Sequence, residues 1–203
     1  MANTQSITSE QKTTGQKAVS TGAKAVGTKA SSGVANSMRQ IRIAKVTLNI
    51  GAGKSEEHLK KGVKLLETLG APIKPVKTVT QKRIPGWGLR PGLAIGCMVT
   101  VRREMAEKLL KRLLFAKGNR LPASCFDTQG SFSFGIPEYI EIEGMEYDPE
   151  LKIMGLEVAV TLDRPGYRVK VRKIRPTPVG LGHRVTKEEA AVFIADRFHV
   201  EVF

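Results

Sequence analysis

The run Asn49-Ile50-Gly51-Ala52-Gly53-Lys54-Ser55 holds the residue types that bind phosphate. Glycines let backbone N–H groups come close to an anion, and a lysine adds charge where a helix begins. Nucleotide chemistry nevertheless fails on spacing. A phosphate loop needs a glycine five positions before the Gly-Lys-Ser, where Leu48 stands, and the dinucleotide fingerprint needs a third glycine where Glu56 stands. No acid-tipped second strand is evident to hold magnesium. What remains is a generic phosphate contact centred on Lys54.

A second pattern concerns charge. Residues 74–103 hold Lys74, Lys77, Lys82, Arg83, Arg90, Arg102 and Arg103 without one Asp or Glu. Residues 164–187 hold Arg164, Arg168, Lys170, Arg172, Lys173, Arg175, Arg184 and Lys187, again without an acid. The acids gather between them, from Glu138 to Asp163, against Lys152 alone. Segments of like charge repel themselves in a folded domain, and a polyanion offsets that repulsion. The plainer alternative is a solvated basic face, but solubility needs far less charge.

Catalysis finds little support. His58, His183 and His199 are scattered; only His183 stands among residues suited to a site, and the other two read as surface residues. A nuclease needs carboxylates clustered for metal, whereas Glu141 and Glu143 alternate with Ile140 and Ile142 as the polar face of a strand would. Cys97 and Cys125 are the only cysteines and form no Cys-x-x-Cys pair, so a zinc site is not expected. They read as small apolar residues in a reducing compartment, with a disulfide left open. No enzyme activity, cofactor or metal is expected.

The chain has 203 residues, 33 Lys and Arg against 19 Asp and Glu, and a formal charge of +14. A hydrophobic content of 41% suffices for one real core. Aromatics, at 5%, are too few for a single-strand binder built on stacking platforms; contacts to the backbone of structured nucleic acid fit better. No run of about 18 apolar residues exists for a membrane span, and no secretory signal opens the chain, so a cytoplasmic protein without a membrane partner is expected.

These residues need elements to position them. Residues 1–38 are rich in Ser, Thr, Gly, Ala and Gln, with Lys12, Lys17, Lys24 and Lys29. They bury too little to offset their ordering entropy and read as a disordered basic N-terminal extension, either a phosphate-binding arm or a solubilising one. Residues 39–203 read as the folded domain. Ile41, Ile43, Val46, Leu48 and Ile50 predict a strand with an irregularity at Ala44-Lys45. Ser55 caps a helix that carries Leu59, Val63, Leu66 and Leu69 and ends at Gly70.

Residues 75–80 and 94–101 predict strands, and 103–115 a helix. Between those strands, Pro85, Gly86, Gly88, Pro91 and Gly92 predict a mobile loop over 82–92. Residues 118–135 read as a long connection. Tyr139, Ile140 and Ile142 suggest a strand, as do Leu156, Val158, Val160 and Leu162. Residues 164–184 read as hairpin or loop. Thr186 caps a last helix through Phe198, and Val200 and Val202 suit an edge strand. The whole predicts an α+β single domain with a mixed or mostly antiparallel sheet packed with helices.

Several of these segments, taken in order, resemble one family. Lys45-Val46-Thr47-Leu48-Asn49-Ile50-Gly51-Ala52-Gly53 is similar to the opening strand and turn of the universal large-subunit ribosomal protein number five. Ala94-Ile95-Gly96-Cys97-Met98-Val99-Thr100-Val101-Arg102 resembles its Ile-Gly followed by Val-Thr-Leu-Arg. The likeness continues through Phe126-Asp127, Phe132-Ser133-Phe134-Gly135-Ile136, Tyr147-Asp148-Pro149, Arg164-Pro165-Gly166-Tyr167-Arg168 and His183-Arg184-Val185-Thr186. It covers 39–203, and its later part resembles the archaeal and eukaryotic branch, with the chain length pointing to the archaeal type.

The resemblance implies a structural protein of the large subunit's central protuberance. Its implied partners are 5S ribosomal RNA, large-subunit ribosomal RNA, P-site tRNA and neighbouring ribosomal proteins, including a small-subunit protein across the interface. The family's Asn and Thr contacts to 5S RNA fall on Asn49 and Thr100. Its Gln contact falls on Ile73, before Lys74-Pro75, and its Lys-Ala-Lys-Lys on Val79-Thr80-Gln81-Lys82, so these positions depart from the pattern.

The candidate RNA contacts are therefore Asn49, Thr100, Lys54, Lys74, Lys77, Arg102, Arg168, Lys170 and Arg172. The loop assigned to tRNA offers Lys82, Arg83, Trp87 and Arg90. Two plainer readings stand beside these: Asn49 and Thr100 as ordinary polar positions on a solvent face, and Trp87 as an anchor packing its loop onto the domain. The rival function is a free-standing RNA chaperone or regulator.

Overall fold

Alternation of apolar and polar residues builds the central strand, β1 (Arg42–Gly51), and sends Val46, Leu48 and Ile50 to one face. The computed structural model describes residues 36–70 and 72–203; the expected tail lies outside the described residues except for its last three positions. There Asn36 caps a 3-10 turn, Ser37–Arg39, by accepting from the Met38 N–H.

Five strands form one antiparallel sheet in the order β2 (Val76–Val79), β3 (Ala94–Val101), β1, β6 (Leu156–Asp163), β5 (Phe132–Ile136). The irregularity expected at Ala44-Lys45 is present as a register shift between Ile43 and Lys45 against β6. It reconciles two inward residues, Ile43 and Val46, that strict alternation would place on opposite faces.

Among the described residues, helices cover one face. α1 (Glu56–Gly70) packs on β3 and β1, and α2 (Arg103–Ala116) packs on β1. Their leucines, among them Leu65, Leu66, Leu110 and Leu113, meet Leu48, Val99 and Val158 in the core. The capping expectations hold. The Ser55 Oγ accepts from the His58 N–H, and Thr186 and Glu189 form a reciprocal capping box on α4 (Lys187–Phe198).

Three expectations need correction. Residues 139–142 are not a strand: Tyr139–Glu141 is a 3-10 turn that buries Tyr139 and, three positions on, Ile142. The connection over 118–135 is not structureless. It holds β4 (Arg120–Leu121) and the start of β5, whose Phe132, Phe134 and Ile136 all enter the core. β4 pairs in parallel with β7 (Glu201–Val202), the edge strand expected near Val202, as a separate two-stranded sheet.

The third correction concerns 82–92. Its prolines and glycines build a tight tip instead of preventing structure. Ile84 and Leu89 exchange backbone hydrogen bonds at 3.1 Å around a 3-10 turn, Pro85–Trp87, and Gly88 takes φ +61 to close it.

Among the described residues no helix is long and apolar enough to cross a membrane, and no group of His, Cys, Asp and Glu is placed to hold a metal ion. Cys97 is buried in the core, Cys125 is half-buried, and neither is in a disulfide.

Candidate nucleic-acid interface

Among the described residues, the second face of the sheet carries no helix. Register fixes what it presents: Thr47 lies opposite Thr100 on β3 and Ala159 on β6, while Asn49 lies opposite Met98 and Glu157. Ser133 and Gly135 extend these two rows onto β5, and Val76 extends the second onto β2. Asn49 and Thr100 are thus diagonal neighbours on one bare surface, within reach of a single ligand. Most side chains around them are short, so ordering them against a partner costs little entropy. At the end of the row Gly51 faces Gly96, and open space lies over Gly51 where a Cβ would stand.

Glu157 is the acid on this surface that the charge pattern did not flag as part of a site. Asn49 Nδ2 donates to Glu157 Oε2 at 3.2 Å. That bond uses one N–H of Asn49 across the surface and leaves its Oδ1 to accept from a partner. Asp163, at the far end of the same strand, is held by Arg42 Nε at 2.6 Å.

The two acid-free segments lie at opposite ends of the bare face. The tip 82–92 joins β2 to β3, beyond Gly51 and Gly96. Lys54 reaches it: a Cβ on Gly88 would fall 2.5 Å from the Lys54 Nζ, so the ammonium lies against the tip. Lys54 therefore groups with Lys82, Arg83, Trp87 and Arg90. Trp87 is 67% exposed, which excludes it as the anchor of its loop.

At the other end, about 20 Å away along β1 at the usual rise per residue, Arg102 follows β3 and the arm 164–184 follows β6. Arg168 and Lys170 stand exposed on the short α3 (Arg168–Val171), and Arg172 Nε donates to Arg175 O at 2.8 Å. Two candidates fall elsewhere. Lys77 is paired with Cys97, a core residue, so it lies on the helix side of edge strand β2. Lys74 is exposed just before that strand. His183 is structural: its Nε2 donates to Pro165 O at 2.9 Å and its ring meets Tyr167 edge-on.

The acidic segment is tied to the helix layer. Lys64 on α1 donates to Asp148 at 2.8 Å and Glu150 at 2.7 Å, and Arg112 on α2 donates to Glu143 O. The Lys64 hydrogen bond holds the Asp148 carboxyl below its usual range. The acids of 143–150 thus lie beside the helices and the two acid-free runs at the ends of the bare sheet, with Glu157 on the face itself. The face itself could be read from strand parity, but Glu157 as partner of Asn49 and Lys54 as partner of the tip depend on register and turn geometry.

Comparison with known proteins agrees with this architecture. The model for ribosomal protein L5 matches residues 36–90, and that for the C-terminus of the same ribosomal family matches residues 94–193. The large ribosomal subunit protein uL5 of Nanoarchaeum equitans is 52% identical over 166 residues, covering 81% of this chain and 97% of that protein. The protein of the same name from Sulfurisphaera tokodaii is 45% identical over 82% of this chain and 94% of its own length. That from Methanosphaera stadtmanae is 42% identical over 82% and 99% respectively. With a split-charge α+β domain matched over nearly the whole length of these relatives, the chain belongs to the ribosomal protein L5 family, structural and non-enzymatic constituents of the large ribosomal subunit.

Proposed function

We propose that the protein binds 5S ribosomal RNA on the bare face of its sheet, within the central protuberance of the cytoplasmic large subunit. Asn49 and Thr100 make hydrogen bonds to the RNA and Arg102 meets a phosphate at the arm end, while Lys54, expected on ribosomal RNA, goes with the tip. Arg168, Lys170 and Arg172 on the arm take large-subunit RNA. The tip carrying Lys82, Arg83, Trp87 and Arg90 faces P-site tRNA. Lys74 and Lys77 lie to the side of the face and serve a neighbouring RNA strand or ribosomal protein, and residues 1–38 add a basic extension. A small-subunit protein remains the expected contact across the interface.

One observation carries this reading. Among the described residues, a five-stranded sheet buries one face under helices and leaves the other open, lined by short polar groups and flanked by unpaired cations. Short hydroxyl and amide groups suit the shallow minor groove of RNA, where 2′-hydroxyls are both donors and acceptors.

The test is 5S RNA affinity by filter binding. Asn49→Ala should weaken it about tenfold, because it removes a hydrogen bond and also leaves Glu157 unpaired against the RNA. Thr100→Val should weaken it several-fold, through one hydrogen bond of about 1 kcal/mol. The logarithm of affinity should fall with log salt at roughly 0.7–0.9 per phosphate contacted. Full affinity in both variants, with unchanged melting, would remove the bare face from the 5S interface.

A further inference from the structure

The bare face does not end flush at the arm. Where β1 bulges at Ala44 and Lys45, the arm folds back over the sheet and encloses a cleft of about 720 Å³. This lies within the range of small-molecule sites. Four cations line it: Lys45 on β1, Arg102 after β3, and Lys170 and Arg184 on the arm. Asp163, the acid on its wall, is already neutralised by Arg42 at 2.6 Å. The positive charge of the cleft is therefore uncompensated.

The rest of the lining divides into two chemistries. Thr161 on β6, Ser131 just before β5 and Thr177 on the arm supply hydroxyls. Pro176, Pro178 and Val171 form an apolar wall, Val171 being 81% exposed. Cations beside hydroxyls beside an apolar plate match phosphate, ribose and base in turn. The cleft is also continuous with the surface assigned to RNA: Lys45 and Thr161 are cross-strand partners, two positions beyond Thr47 and Ala159. A duplex is too wide to enter. An unstacked nucleotide fits.

We propose that this cleft takes a single ribonucleotide turned out of its helix, its phosphate on Lys45, Arg102, Lys170 and Arg184 and its base against the Pro176–Pro178 wall. The proposal rests on the reading that RNA lies on the bare face. An acidic peptide is the other anion such charge could attract. It would leave the apolar wall and the hydroxyls unused, and nothing makes it continuous with the sheet rows.

The wall is held in place without using these groups. Thr177 N–H donates to Val169 O at 3.2 Å, and Arg184 Nε donates to Val179 O at 3.0 Å, leaving the outer nitrogens of Arg184 available. The cleft is therefore built before any ligand arrives, and binding does not have to order it.

The experiment uses the full chain. Amide NMR shifts are followed as adenosine, uridine, guanosine and cytidine 5′-monophosphates are added, and tetraglutamate is added separately. At least one nucleotide should shift Ser131, Thr161, Lys170 and Thr177 saturably, with Asn49 unmoved. Lys170→Glu, an exposed change, and Thr161→Phe, which fills the floor, should each abolish those shifts and weaken 5S or large-subunit RNA binding roughly tenfold. Shifts with tetraglutamate and none with any nucleotide would overturn the proposal in favour of a peptide site. Weaker RNA binding by Lys170→Glu with no nucleotide shifts would overturn it as mere surface charge. If nucleotide shifts occur while Asn49→Ala binds 5S RNA normally, the cleft stands and the bare-face reading fails.

Discussion

The tip 82–92 and the arm 164–184 carry the same sign of charge at opposite ends of one sheet, but they are held in opposite ways. The tip is closed by its own backbone: Thr80 and Leu93 pair at its neck at 2.8 Å, and Ile84 and Leu89 pair inside it. Trp87 faces solvent and does not tie it down. The arm is anchored from within. Arg164 is 5% exposed, pairs with Glu189 on α4 at 2.8 Å, and donates to the carbonyls of Arg184 and His183. The Tyr167 hydroxyl bridges His183 O and the Val185 N–H. One set of cations is tied to the core through the arm's anchors, and the other is carried on a small self-contained turn. Fixed charge suits an RNA that never leaves, and independent charge suits a ligand that comes and goes.

The sharpest way to break this contrast is Arg164→Met. It leaves Glu189 without its partner and two carbonyls without a donor. Removing one member of a buried pair costs about 3–5 kcal/mol; the Glu189 side chain is 45% exposed, which lowers the expectation to about 2–3 kcal/mol. A thermal melt should drop by roughly 5–10 °C. Hydrogen exchange should accelerate over 164–185 and not over 82–92. An unchanged melt would mean that the arm is not anchored through Arg164.

The same anchor has a pH signature. Burial alone would raise the Glu189 carboxyl, but the Thr186 N–H and Arg164 outweigh it and hold it below the ordinary glutamate range. A carboxyl depressed in the folded state stabilises above its unfolded value, and that contribution is lost as pH falls through the folded one. Stability of the wild type should therefore decline below about pH 4.3, the ordinary glutamate value, more steeply than that of Glu189→Gln, read by chemical denaturation. Parallel declines would detach Glu189 from the anchor.

The contrast between tip and arm was only half legible in the sequence. Both acid-free runs stood out, and β1, β3, α1 and α4 followed from residue period and caps. The anchoring did not, because Arg164 and Glu189 are ordinary charges until packing buries one of them. Likewise Phe132, Phe134 and Ile136 alternate plainly, yet the glycines around them suggest connection. Tyr139 and Ile142 are spaced by three, a 3-10 spacing that short apolar runs disguise as a strand. Asn49 and Thr100 showed their face by parity within long strands. Lys77 did not, because β2 is four residues long and its facing is set by register with Cys97.

Replacing Lys82, Arg83 and Arg90 together with Ala sharpens the contrast from the other end. None of the three is ion-paired among the described residues. Stability should stay within about 0.5 kcal/mol, and 5S RNA affinity should be unchanged. P-site tRNA occupancy on reconstituted ribosomes should fall several-fold, with the salt slope reduced by about two to three units. If 5S affinity fell as far as in Asn49→Ala, the tip would belong to the 5S surface and the two ends would serve one RNA.

The smallest perturbation is none at all, because Trp87 is the only tryptophan in the chain and reports on the tip directly. At 67% exposure its emission in the free protein should be that of a water-exposed indole. If 5S RNA lies on the bare face, beyond the neck formed by Thr80 and Leu93, its binding should leave this emission nearly unchanged. A tRNA acceptor or elbow fragment, offered to the protein–5S complex, should quench it by stacking. Trp87→Ala should then weaken that fragment's binding by roughly 1 kcal/mol while the melting temperature holds, since an indole facing water contributes little packing. Strong quenching by 5S RNA alone would put the tip on the same ligand as Asn49, and the distinction between a fixed end and a free end would lose its functional meaning even though the structural difference remained.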